Sequence, residues 1–235
     1  MSDRIPRPLA AVFFDAGETL LAPHPSFEGR FVAVAAAAGV PLDEAAVHAA
    51  FAAALRRAVW PTDWADPATQ RRFWQGFYAD VLGEVGYDGD RQPLAEEMFA
   101  TFSDPATYKL FDDVRPALEA LRARGLKLGV ISNFEPWLER VLELEGVRDA
   151  FAATAISGVL GVAKPEPGIF EAALRAAGVP ARASLHVGDS PGADVAGARA
   201  VGMVPVLIDR HARWPEADGL RVRTLAELVE LVEGG

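Results

Sequence analysis

The chain has 235 residues, 51% hydrophobic and 24% charged, with a formal net charge of −10 and no cysteine. These proportions suit a soluble globular protein able to bury a full core, and they exclude a disordered or membrane-spanning chain. The missing cysteines exclude disulfides, thiolate metal sites and a cysteine nucleophile, while the acidic balance opposes long-range attraction to nucleic acid or anionic lipid.

The first element is an apolar run, Leu9–Phe14, ended by Asp15, Ala16 and Gly17. It is too short for a membrane span or a signal sequence, so a cytoplasmic location is expected. It reads as a buried strand delivering a carboxylate to a glycine turn. From about Ser26 to Tyr108 no strand pattern appears. Alanine-rich helical stretches recur instead at Phe27–Ala38, Asp43–Val59, Ala68–Leu82 and Leu94–Phe102, separated by Gly, Pro and Asp. Trp60, Trp64 and Trp74 fall in this block, as interior packing residues or as the face of a homodimer.

After Lys109 the pattern alternates: helix Val114–Arg124, strand Leu126–Ser132, helix Glu135–Glu145, strand near Ala152–Ile156, helix Pro167–Ala177, strand Ser184–Gly188, helix Asp194–Val201, strand Val204–Ile208 and helix Leu225–Val232. Such alternation implies a parallel sheet covered on both faces. Gly125, Gly146, Gly178 and Gly202 follow four of these helices, where left-handed caps are expected. One strand precedes the helical block and the others follow it. The expected fold is therefore a doubly wound α/β core, residues 1–22 and 106–235, with an inserted all-helical cap domain, residues 23–105. Ligands of such sheets bind beyond the strands' carboxyl ends, where the insertion would serve as a lid.

Four segments stand at those expected ends: Phe13–Leu20, Val130–Asn133, Gly161–Pro165, and His186–Ser190 followed by Asp194. A strand-end carboxylate can attack phosphorus to give an aspartyl-phosphate, splitting one hard displacement into two easier ones. Attack by an anion on a phosphate dianion needs cations and aimed dipoles. Lysine occurs only at Lys109, Lys127 and Lys164, so Lys164 beside Pro165 stands out in a chain whose usual cation is arginine. Each residue also has an ordinary structural use: Asp15 in a turn, Lys164 on a solvated loop, Ser132 as a helix cap, Asp189 and Asp194 as acids at a helix start.

In order and placement the four segments resemble the haloacid dehalogenase-like (HAD) hydrolase superfamily, and the helical insertion after the first resembles the subfamily with an α-helical cap. The resemblance covers nearly the whole chain. It implies Asp15 as nucleophile with Lys164 neutralising charge beside it. It implies a phosphate site from Ala16, Gly17, the Ser132 hydroxyl, the Asn133 backbone N–H and Lys164. It also implies a Mg²⁺ site from Asp15, the Gly17 carbonyl, Asp189 and Asp194, and a small phosphorylated metabolite as substrate.

The chain departs from the family's phosphatases at Gly17, where they carry a second aspartate that protonates the leaving oxygen and later activates water. Such acid–base help is worth ~10²–10⁴-fold in rate. Alkyl phosphates are thus expected to be poor substrates, and esters with good leaving groups to suffer less, unless Glu18, His24 or a cap residue takes over. Two other readings stay open: a catalytically silent phosphate- and metal-binding module, and dehalogenase or phosphonatase chemistry. Against the last stand the retained acid Asp189 and the lack of any lysine before Lys109 to form a Schiff base.

Overall fold

The computed structural model describes residues 4–59, 61 and 66–234, so Trp60 and Trp64 lie outside the described residues. In chain order the strands are β1 (Ala11–Phe14), β2 (Leu21–Pro23), β3 (Tyr108–Leu110), β4 (Lys127–Ser132), β5 (Ala153–Ile156), β6 (Ser184–Gly188), β7 (Val204–Ile208) and β8 (Leu220–Val222). Six of them form one parallel sheet in the order β5-β4-β1-β6-β7-β8, and β2 pairs with β3 in a separate ribbon.

All four residues of β1 are fully buried, as a strand covered on both faces requires. Phe14 lies beside Val130 of β4 and Val187 of β6, so the residue after it emerges between two further strand ends. The strand order also reverses around β1, with β4 and β5 on one side and β6 to β8 on the other. That reversal opens the crevice in which doubly wound sheets bind ligands.

The chain divides into two compact units, Met1–Leu21 with Leu110–Gly235, and Ala22–Lys109. The second holds four helices, α1 (Phe27–Ala37), α2 (Glu44–Arg57), α3 (Pro67–Glu84) and α4 (Arg91–Phe102). Each begins at a side chain that accepts a first-turn N–H: Ser26, Asp43, Asp66 and Asp90. Their shared core contains Phe31, Phe77, Tyr78, Leu82 and Met98, and Trp74 stacks on Tyr78 at its margin.

The α/β unit carries α5 (Val114–Ala123), α6 (Leu138–Leu144), α7 (Ser157–Leu160), α8 (Pro167–Ala177), α9 (Ala196–Ala200) and α10 (Leu225–Gly234). Phe13 and Ile131 face a core built with Phe170 and Ala173 of α8 and Ala198 of α9. Helices α5 and α10 pack on one another. Gly125, Gly146, Gly178 and Gly202 have φ of 76, 63, 62 and 80°, the left-handed geometry expected of them.

The structure departs from the expected elements where the chain is least periodic. Strands β2, β3 and β8 have three residues each, too few to show an alternation. The helix expected from Asp194 begins instead as a wide π-helical turn, Pro191–Val195, and becomes α-helical at Ala196. Among the described residues no helix is long and apolar enough to cross a membrane.

Candidate active site

Asp15 follows β1, and its N–H donates to the Val187 carbonyl at 2.8 Å, so the backbone stays in the sheet while the carboxylate stands at the strand's carboxyl end. The Ala16 carbonyl then accepts from Leu20 (2.8 Å) and Leu21 (3.0 Å), closing a tight loop over Gly17, Glu18 and Thr19. Glu18 has φ 56°, a left-handed conformation that costs an ordinary residue roughly 1–2 kcal/mol. It is held there by its N–H to Leu21 (2.9 Å) and by its carboxylate, which pairs with His211 Nε2 (3.0 Å). A Cβ placed on Gly17 would meet no atom within 4 Å.

Lys164 is 5% exposed, and its ammonium donates to Asp15 Oδ1 and Asp194 Oδ1, both at 2.6 Å. Burial acts to lower the lysine's pKa, but the two carboxylates outweigh it and hold the pKa above its ordinary value. Asn133 takes hold of the same residue from β4's end, accepting the Lys164 N–H (2.7 Å) and donating to its carbonyl (2.9 Å). For Asp15, burial raises the pKa and prevails over Lys164, with Asp194 adding to the rise. A hydrogen bond from Ser132, itself buried, opposes it.

Asp194 is the opposite case. Burial acts to raise its pKa, but Lys164 and His186 overcome it and hold the carboxyl far below the usual range. Lys164 donates to its Oδ1 and the Ser190 N–H to its Oδ2 (3.0 Å), while His186 Nε2 lies 2.8 Å from Oδ1. The carboxylate lies against Gly188, where any Cβ would clash with it.

Asp189, 23% exposed at its side chain, faces Arg213 at 3.4 Å, and Arg213 reaches Glu18 at 3.6 Å. Trp214 Nε1 donates to the Asp189 carbonyl at 3.1 Å. Burial, then Asp15 and Asp194, push the Asp189 carboxyl up to about 8, with Arg213 opposing.

Asp15, Asp189 and Asp194 each present a carboxylate oxygen within 4.8 Å of the others. One lysine does not neutralise three acids, and burial first, then repulsion between the neighbouring carboxylates, raises the pKa of Asp15 and Asp189. An all-oxygen anionic set is the donor chemistry of a hard divalent cation such as Mg²⁺, so these residues fit that ion.

Of the residues singled out in the sequence, the structure brings together Asp15, Ser132, Asn133, Lys164, Asp189 and Asp194, with Ala16 and Gly17 in the loop after Asp15. Glu18 pairs with His211, and His24 belongs to the helical unit. Sequence reasoning missed His186, His211, Arg213 and the side-chain role of Asn133. For His186 a signal was present, a lone imidazole inside a strand that is otherwise small or apolar.

Residues 9–202 match the haloacid dehalogenase-like hydrolases. Haloacid dehalogenase-like hydrolase domain-containing protein 3 of Danio rerio is 32% identical over 208 residues, 86% of each chain. The Bos taurus protein of that name is 37% identical over 142 residues, which are 60% of this chain and only 57% of the relative. A phosphoserine phosphatase of Thermus thermophilus is 36% identical over 197 residues, 80% of this chain and 76% of that one. Among solved structures, a HAD phosphatase from Thermococcus onnurineus superposes with a TM-score of 0.64 at 27% identity, covering 96% of this chain and 99% of that one. A 2-haloacid dehalogenase from Pseudomonas syringae superposes with a TM-score of 0.60 at 29% identity and the same coverage.

Proposed function

Because the chain belongs to the haloacid dehalogenase-like hydrolase family, we propose that it is a Mg²⁺-dependent phosphatase of a small phosphorylated metabolite, with Asp15 as its nucleophile. The observation that carries this reading is the Lys164 ammonium bonded at 2.6 Å to both Asp15 and Asp194, with Asp189 completing a carboxylate cluster beyond the carboxyl ends of the central strands.

An Asp15 oxygen attacks phosphorus, the bond to the leaving oxygen breaks, and an aspartyl-phosphate remains on Asp15. Water then attacks that phosphorus, releasing phosphate and restoring the carboxylate. Lys164 holds the nucleophile in place and offers charge to the phosphoryl oxygens. The Ser132 hydroxyl and the N–H groups of Ala16, Gly17 and Asn133 are assigned as donors to the other oxygens. Mg²⁺, when bound by Asp15, the Gly17 carbonyl, Asp189 and Asp194, supplies the positive charge that attack on a dianion requires.

Gly17 carries no acid, so the leaving group departs without help from that position, which favours aryl or acyl phosphates over alkyl ones. The likeness to a 2-haloacid dehalogenase favours a second reading, carbon–halogen hydrolysis. Against it stands Asp189, an acid that the resembled dehalogenases, which need no metal, do not keep.

The test is release of phosphate from p-nitrophenyl phosphate with Mg²⁺ or EDTA, and of halide from 2-haloacids. Turnover that requires Mg²⁺ and disappears in Asp15→Asn is expected. Metal-independent halide release would establish the dehalogenase instead. Tight Mg²⁺-dependent phosphate binding, with no turnover of aryl phosphates, acyl phosphates or a broad metabolite panel, would mark a silent module.

A further inference from the structure

His186 has no part in the chemistry above, yet it is fully buried in β6 between Leu185 and Val187, which are fully buried too. Its ring stands edge-on to Phe170, with centroids 5.2 Å apart at 85°. Its Nε2 lies 2.8 Å from Asp194 Oδ1, and its Nδ1 meets no hydrogen-bond partner among the described residues. A buried polar atom left unpaired costs about 1–3 kcal/mol, so an apolar residue would pack here with less penalty. What the imidazole provides, and an apolar residue does not, is the bond to Asp194.

Of the two tautomers with a single ring hydrogen, geometry permits one. On Nε2 it points at a carboxylate oxygen. On Nδ1 it would face no acceptor, and the Nε2 lone pair would be pressed against an anionic oxygen.

Aspartate carboxylates turn readily about their last torsion, where no staggered well fixes them. Lys164 cannot set that angle alone, because its ammonium is shared with Asp15 and sits on a flexible stem. A rigid ring braced by Phe170, acting on the same oxygen from a second direction while the Ser190 N–H takes the other oxygen, does set it. We infer that His186 is a positioning residue for the divalent-cation site, fixing the Asp194 carboxylate through a permanent Nε2–H donor. Groups that orient a metal-holding side chain in this way are typically worth about 10–100-fold in metal affinity. The inference rests on the assignment of Asp194 to that site.

Two variants of the full chain separate the donor from the bulk. His186→Gln returns an N–H at the place of Nε2, the same number of bonds from Cβ, whereas His186→Phe fills the space without a donor. With Mn²⁺ as the probe and free ion read by electron paramagnetic resonance, His186→Phe should bind at least about tenfold more weakly than wild type, and His186→Gln within about threefold. Wild-type affinity in a folded His186→Phe, or equal loss in both variants, would overturn the inference.

If His186→Phe does not fold, long-range ¹H–¹⁵N spectra of the wild type decide the matter. The His186 ring, assigned by the loss of its signals in His186→Gln, supports the inference if it carries a hydrogen on Nε2, and an Nε2 without one refutes it. Aryl phosphate turnover is scored separately, so the phosphatase reading can fail while the Mn²⁺ pattern still stands.

Discussion

Asn133 grips Lys164 by both polar groups of its backbone, its Oδ1 accepting the N–H at 2.7 Å and its Nδ2 donating to the carbonyl at 2.9 Å. The end of β4 thereby sets the position of an ammonium that arrives 31 residues later. Asn133→Ala removes both bonds, each worth about 1 kcal/mol net. For a chain of this size that lowers Tm by roughly 4–8 °C. Displacing a charged group at a reacting centre is costly, so kcat should also fall by about tenfold or more. Thermal melts and initial rates check the two effects together; loss of stability without loss of rate would show that Lys164 keeps its place unaided.

Lys164→Met leaves Asp15 and Asp194 without the cation they share. Stranding buried charges in this way costs about 3–5 kcal/mol. Urea unfolding should show that loss, and Mg²⁺ should restore part of it by supplying charge at the same carboxylates. A variant as stable as wild type in EDTA would contradict the account of how the cluster is balanced.

The Asp189 carboxyl, pushed up to about 8 when folded, returns to about 3.8 in the unfolded chain. Between those values the folded state holds a proton that the unfolded state has released, so this group's contribution to stability is complete below pH 3.8 and is lost as pH rises toward about 8. Asp15, also raised, acts in the same sense, whereas Asp194, held low, contributes above the ordinary aspartate range and fails only in strong acid. Tm of wild type minus Tm of Asp189→Asn, in EDTA, should therefore decline as pH is raised across that window. Mg²⁺ displaces the proton, so its binding tightens with pH and releases acid. A difference in Tm that grows with pH would reject the assignment.

Gly17→Asp should fold like the wild type, because nothing lies within 4 Å of the added Cβ. Supplying an acid there should raise turnover of alkyl phosphates by about 10²-fold or more, and of aryl phosphates far less, since only the former need a proton on the departing oxygen. Parallel assays on a phenolic and an aliphatic ester measure the ratio. An unchanged ratio would mean that the new carboxylate does not reach the leaving group.

Much of this architecture is legible in the residues themselves. Strands β6 and β7 and helix α8 coincide with the expected elements to the residue; α8 begins at Pro167 and is closed by Gly178, and β6 ends in Gly188. The convergence of Asp15, Lys164, Asp189 and Asp194 is legible only as a resemblance. No spacing along the chain states that one ammonium will bridge two acids drawn from different strand ends. The support beneath them is hidden for a physical reason as well. His186 and Asn133 act through single hydrogen bonds whose partners are chosen by the folded backbone, and Arg213 and His211 meet Glu18 from a loop nearly two hundred residues away, 193 in the case of His211.

Gly188 gives the molecule an unguarded point. Every missense change at its codon adds at least one carbon, and that carbon falls where the Asp194 carboxyl group lies. A single methyl group at this position would therefore disturb the carboxylate cluster while leaving every ionisable residue of the chain in place.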